Sequence, residues 1–200
     1  MTWMQTRSNR AFDLLDPRPD LVDFLFDVPV ALARINRFLG HTLYPWSVAQ
    51  HCVAGADWAT AQGNNRLAAA FLLHDAHEAY LGDITTPAAQ AIGALIPGGR
   101  NPIKDIKRAI DGAIFAAAGL GSLLDDAALM REVADLDLRL LRAERDALLG
   151  APPQPWIRAV ETAEPIAVAF RPSSPAVDAE IWRSRFVGYA LPLAAVAVGG

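Results

Sequence analysis

Glycine and proline divide this chain into segments of helical length, and strand-like alternation is nearly absent between them. Glycine ends a helix by adopting the left-handed backbone of a C-terminal stop, and proline by lacking an N–H. The first 27 residues carry Pro17 and Pro19 and read as an extended arm or short turns. A helix is expected from about Pro29 to Leu39, with Asp27 as cap and Gly40 as stop. Gly40 to Trp46 reads as a loop. Ser47-Val48-Ala49-Gln50 has the Ser-x-x-Gln pattern of a capping box and opens a helix to about Gln62. Gly63-Asn64-Asn65 breaks that helix and caps the next, Arg66 to Leu81, which Gly82 ends. Asp83 to Pro87 forms a loop into a short helix ending near Leu95, and Pro97-Gly98-Gly99 is a break. Two longer helices follow, one from Pro102 to Ala118 and one capped by Asp125 that runs to Leu149 and stops at Gly150. Pro152, Pro153 and Pro155 make a stiff linker, and the remainder is loop-rich with one helix around Ala176 to Tyr189. The pattern predicts an all-α bundle of six or seven helices in a single domain over 1–200. Its core is expected at about 28–150, with a Pro-rich C-terminal extension at 151–200. Trp156, Trp182, Phe186, Leu191 and Leu193 equip that extension to pack on the core or to form a dimer contact.

Composition narrows the function. A net charge of -4 gives no general attraction to nucleic-acid polymers or anionic membrane surfaces. The single Cys52 rules out an internal disulfide framework and a Cys-based zinc cluster. With no basic partner nearby in sequence, it reads as a small hydrophobe rather than a nucleophile. No apolar stretch reaches the roughly 20 residues of a spanning helix, and the N-terminus has no signal-like apolar core. A cytoplasmic protein is expected.

One pentapeptide stands out, His74-Asp75-Ala76-His77-Glu78, placed directly after the apolar run Ala68 to Leu73. Polar and ionisable groups next to a buried run cost desolvation unless something compensates, and a divalent cation is one such compensation. On a helix, His74 and Glu78 at i and i+4 share a face, and Asp75 lies one turn from Glu78. The plain alternative is a helix end entering solvent. His51, flanked by Val48, Val53 and Ala54, faces the apolar side of its helix or its edge, and reads as a core histidine unless other ligands converge on it. On the long helix, residues two apart point about 200° away from each other. Asp135 shares its face with Arg131, Arg139 and Arg142, a solvated ion-pair surface. Asp137 shares its face with Met130, Val133, Leu141, Glu144 and Leu148, an apolar stripe carrying two acids. Asp137 is therefore the better ligand candidate, and Glu144 a supporting group. His51, His74, Asp75 and Asp137 form a mixed nitrogen and oxygen set suited to one divalent transition metal: Mn²⁺, Fe²⁺, Co²⁺, Ni²⁺ or Zn²⁺.

These residues resemble the H…HD…D signature of the HD-domain metal-dependent phosphohydrolases. Arg37-Phe38, Ser47 to His51, the run from His74 to Pro87, and Asp137 seven residues before Glu144 are similar to the 5′-deoxynucleotidase branch. The resemblance covers about residues 28 to 150. It implies an all-α HD-domain bundle that hydrolyses a phosphoester in a small nucleotide, most simply a 5′-deoxynucleoside monophosphate. It implies that His51, His74, Asp75 and Asp137 hold the metal and that Glu78 positions or deprotonates the attacking water. It further implies that Arg37 holds the phosphate beside Phe38, that Asp83 lies near the sugar, and that Thr86 and Pro87 line the pocket. A small nucleotide substrate and a homodimer are the partners expected. His77 reads as a pocket-rim or solvated residue, with a second-metal ligand as the alternative. Trp46 and Tyr80 are each suited to stacking on a base or to core packing. Two other functions fit the same residues: triphosphate release from deoxynucleoside triphosphates, and a non-enzymatic all-α interaction domain with a degenerate metal site.

Overall fold

A computed structural model describes residues 1–96 and 101–198. The break expected at Pro97-Gly98-Gly99 lies outside the described residues. The N-terminal arm is more ordered than the prolines suggest. Strands β1 (Trp3–Gln5) and β2 (Ala11–Asp13) pair antiparallel, and Phe12 from the second is fully buried, with its ring stacked on Tyr80 at 3.8 Å. The short paired segment sits below the length at which sequence alternation is legible.

Helix α1 (Val28–Arg34) starts with Pro29 in its first turn, as expected, but ends five residues before Leu39. Ile35 is extended, its carbonyl accepts from the Val48 N–H, and the Arg37 N–H donates to the Trp46 carbonyl. These long-range bonds divert the backbone from the helix. The chain then makes a tight 3₁₀ turn over Arg37–Gly40, with Phe38 and Leu39 at φ of 55° and 53°. The left-handed region costs roughly 1–2 kcal/mol per non-glycine residue, so tertiary contacts must hold this turn.

Helix α2 (Val48–Ala61) carries the complete reciprocal capping box of Ser47 and Gln50. Helix α3 (Asn65–Leu73) is capped by Asn64, and its seven consecutive residues Leu67 to Leu73 are all buried. The helix expected to continue to Leu81 is interrupted. His74, Ala76 and Glu78 bond back three residues, to Phe71, Leu73 and Asp75, before α4 (Glu78–Leu81) closes at Gly82. Helix α5 (Thr86–Ala94) has Pro87 in its first turn, and α6 (Pro102–Ala117) is capped by Asn101. Helix α7 (Gly121–Leu124) precedes α8 (Ala127–Leu148), whose cap is Asp126 rather than the expected Asp125.

Helix α9 (Arg158–Thr162) follows the proline linker. Helix α10 (Pro175–Arg185) continues through a π turn at Phe186–Ala190 into α11 (Leu191–Val198), past the expected end at Tyr189. This C-terminal segment is part of the core. Helix α10 packs on α1 and α2, Trp182 is fully buried, and Arg185 makes a two-pronged ion pair with Asp57 of α2. The fold is all-α apart from the N-terminal hairpin. Among the described residues, no helix is long and apolar enough to cross a membrane.

Candidate functional site

Close packing of α2 against α3 creates the site. Gly55 allows it: a Cβ there would lie 2.1 Å from Cε1 of the buried Phe71 ring. One turn before Gly55, α2 carries His51. Three residues after Phe71, the chain carries His74. The two imidazole Nε2 atoms stand 3.4 Å apart.

Two carboxylates complete the group. Asp137 Oδ1 lies 3.2 Å from His51 Nε2 and 3.9 Å from His74 Nε2. Asp75 Oδ2 lies 3.3 Å from His74 Nε2 and 3.7 Å from His51 Nε2. All four sequence-predicted ligands therefore converge, from α2, the turn after α3, and α8. Asp135 points away: its carboxylate is exposed and lies 3.9 Å from Arg139.

The hydrogen bonds behind the imidazoles orient them for a cation. Carbonyl and carboxylate oxygens accept, so the nitrogen facing each must donate. His74 Nδ1 donates to the Phe71 carbonyl at 2.6 Å, and His51 Nδ1 donates to Glu144 Oε1 at 2.8 Å. Each neutral ring then presents its Nε2 lone pair to the cluster, the tautomer a metal needs. Glu144 is fully buried and also accepts from Trp46 Nε1 at 2.8 Å and Arg37 Nε at 2.9 Å. Trp46 is thus a buried support for Glu144 rather than a stacking surface. Its indole N–H was the sequence signal, but the partner lies 98 residues away.

Electrostatics follow this geometry. Burial and Arg37 pull the His51 imidazole down, but Glu144 and Asp137 outweigh them and raise it above its ordinary value. Burial likewise opposes the charge on His74, yet Asp75 holds it well above the usual range. Burial pushes the Asp75 carboxyl up, and the adjacent imidazoles more than reverse this, so it falls well below normal. A dication at the cluster would compete with protons for these imidazole nitrogens. Cys52 is buried, and burial pushes its thiol up to about 11, in keeping with a small hydrophobe.

Of the remaining predicted residues, Arg37 and Phe38 stand beside the cluster. Arg37 Nη1 lies 3.5 Å from Asp75 Oδ2, and its guanidinium sits 5.5 Å from the centre of the Phe38 ring. Phe38 in turn lies 6.4 Å from Trp156, so the C-terminal segment reaches this edge of the site. Asp83 is partly buried, and burial followed by the Asp75 charge raises its carboxyl. Thr86 and Pro87 are exposed at the start of α5. His41 is exposed.

Glu78 differs from the simple helical expectation. Hydrogen bonds back to the third residue give the 74–78 turn about three residues per turn, so Asp75 and not His74 shares its side with Glu78. Glu78 is buried, and burial, then Asp75, then Asp83 push its carboxyl up to about 9. His77 is not at a solvated rim. It is 5% exposed, and its Nδ1 donates to Asp111 of α6 at 2.9 Å. Asp111 carried no sequence signal beyond lying next to the buried Ile110.

Fold and site thus define an all-α protein whose partly buried His/Asp cluster could hold a metal ion. No family model matches the chain. Among its relatives, an uncharacterized protein of Rhodobacter capsulatus is 39% identical over 97 residues, 46% of this chain and 48% of that protein. The chain thus spans about half of that relative's length. The uncharacterized protein YfdR of Escherichia coli is 31% identical over 147 residues, 72% of this chain and 71% of YfdR. The chain belongs to the family of YfdR.

Proposed function

We propose that this chain is an HD-type metal-dependent phosphohydrolase that cleaves the phosphoester of a small nucleotide, a 5′-deoxynucleoside monophosphate in the first instance. The observation that carries the reading is the convergence of His51, His74, Asp75 and Asp137, with both imidazoles turned Nε2 inward by Glu144 and the Phe71 carbonyl. That donor set fits one of Mn²⁺, Fe²⁺, Co²⁺, Ni²⁺ or Zn²⁺. Such an ion would polarise a phosphoryl oxygen and make a nearby water more acidic.

The chain's own residues do the rest. Arg37 is fixed by Glu144 and Asp75 and offers a planar guanidinium to phosphate oxygens. Burial opposes its charge, but the surrounding carboxylates, Glu144 foremost, keep it protonated. Glu78 sits one 3₁₀ turn from Asp75 and is the carboxyl that would position or deprotonate the attacking water. Phe38 offers a ring face at the edge of the site. Asp83 serves the sugar, and Thr86 and Pro87 form the outer rim.

Phosphate release from 5′-deoxynucleoside monophosphates with added Mn²⁺ or Co²⁺ tests this. Turnover is expected, with Glu78→Gln inactive but still holding an ion at the four-residue site. A folded, metal-loaded protein inert toward every monophosphate would overturn the monophosphatase reading. Intact tripolyphosphate from a deoxynucleoside triphosphate would redirect it to a triphosphohydrolase. Failure to bind any divalent ion would favour the interaction domain.

A further inference from the structure

We infer that Trp156 is a base-binding residue of the substrate site, where the nucleobase packs against its indole beside the Phe38 ring. The substrate class is then a nucleotide recognised with its base, rather than a bare sugar phosphate. The inference rests on the nucleotide reading above and deepens it. Trp156 lies past residue 150, outside the stretch that resembles the phosphohydrolases, and only the fold brings it to the site.

The groups at this edge run outward from the cluster in a fixed order. Asp75, one of the four ligands, stands 3.5 Å from Arg37 Nη1. The Arg37 guanidinium lies 5.5 Å from the centre of the Phe38 ring, and that ring lies 6.4 Å from the Trp156 ring. A 5′-nucleotide carries the matching order, an anionic phosphate at one end and a planar ring at the other. With its phosphate on Arg37, its base is carried out toward the two aromatic side chains. Their rings meet at 57°, as walls of an angled cleft rather than as a closed stack. Both residues are half-buried, so each keeps surface that a ligand can cover. Every nucleobase offers a π-face to such a surface.

Trp156 is held in position by the protein itself. Its backbone N–H donates to Glu161 Oε1 at 2.8 Å. Arg145 of α8, buried and ion-paired to that same oxygen at 2.6 Å, sets its guanidinium 5.4 Å from the centre of the indole. Pro152, Pro153 and Pro155 stiffen the approach to it. Phe38 is fixed differently, by the turn that holds it and Leu39 at φ of 55° and 53°. Strained backbone of this kind persists where the surrounding structure enforces it, and it gathers at ligand sites. Aromatic rings ordered in advance lose little freedom when a ligand binds. The sequence neighbours of the two rings, Leu39 and Ile157, are 65% and 61% exposed. Exposed apolar side chains grouped in this way mark a binding surface.

Calorimetry on the Mn²⁺-loaded Glu78→Gln protein, which reads binding without turnover, tests this. The probes are 2′-deoxyadenosine 5′-monophosphate and the base-less 2-deoxyribose 5-phosphate. The nucleotide is expected to bind more tightly. Adding Trp156→Leu should weaken it about 5–150-fold, the worth of one base–aromatic stack, and leave the base-less probe unchanged. Trp156→Tyr should recover most of the loss. Equal losses for the two probes overturn the inference, because Trp156 then only supports the site. No loss for either probe overturns it as well, including the case where Trp156→Leu instead splits a dimer in sedimentation. In these cases turnover of monophosphates by the wild-type protein leaves the phosphohydrolase reading intact. No affinity for either probe overturns both readings. If Trp156→Leu fails to fold, photocrosslinking of the wild-type protein to 5-iodo-2′-deoxyuridine 5′-monophosphate decides. An adduct mapped to Trp156 supports the inference, and an adduct elsewhere or none overturns it.

Discussion

Replacing Gly55 with alanine tests whether the α2–α3 approach builds the site. Its new Cβ would lie 2.1 Å from Cε1, 2.5 Å from Cδ1 and 2.6 Å from Cζ of the Phe71 ring. Carbon atoms in good contact sit roughly 3.5–4.0 Å apart, so ring and helix must separate by about 1.5 Å. Phe71 is fully buried, with the His74 ring 4.3 Å away, and has no open space to retreat into. Overpacking of this kind costs about 1–3 kcal/mol. A chain of this size loses about 2–4 °C for each kcal/mol, so Tm should fall by roughly 2–12 °C. The sign is informative because glycine to alanine in an open helix gains about 1 kcal/mol. Gly112 of α6, with nothing within 4 Å of its would-be Cβ, is the control, and Gly112→Ala should raise Tm. Calorimetric melting and Mn²⁺ titration are the assays. Ion affinity should also fall in Gly55→Ala, because His51 and His74 flank the clash. Phe71→Leu should cost less in the Gly55→Ala background than alone. A Gly55→Ala protein as stable as wild type, with unchanged Mn²⁺ affinity, would refute the reasoning.

Two further outcomes are expected. Glu144→Gln leaves Arg37 and His51 facing a neutral amide in a buried position, and urea unfolding should show a loss of about 3–5 kcal/mol. Its Mn²⁺ affinity should fall about 10–100-fold by calorimetry. Glu78 gives a pH signature in the metal-free protein. Its folded carboxyl is raised to about 9 from an ordinary 4.5, so the folded state binds the extra proton between those values. Its contribution to stability is complete below about 4.5 and is lost as pH rises through about 9. Metal-free Glu78→Gln should therefore outlast wild type in urea at pH 8, by a margin that shrinks toward pH 5. A margin that grows on acidification would contradict the burial of Glu78.

The sequence by itself determined what depends on near neighbours. The Ser47–Gln50 capping box, the Asn64 cap and the proline-led starts of α1, α5 and α6 are local hydrogen-bond and backbone effects, and they stand where the residues place them. Helical periodicity also separated Asp137, which meets the cluster, from Asp135, which meets Arg139, because a 200° rotation is intrinsic to the helix. Tertiary structure decided whatever needed a distant partner. Bonds from Val48 and Arg37 across to Ile35 and Trp46 ended α1 early and turned Arg37 toward the cluster. The turn after α3 tightened to three residues, which moved Glu78 beside Asp75 and buried His77 against Asp111. Glu144 found Arg37, Trp46 and His51 across separations of about a hundred residues, and α10 joined the core through Trp182. A helix face can be read from spacing, but which two faces meet is set by how side-chain volumes pack, and here that rests on the missing Cβ of Gly55.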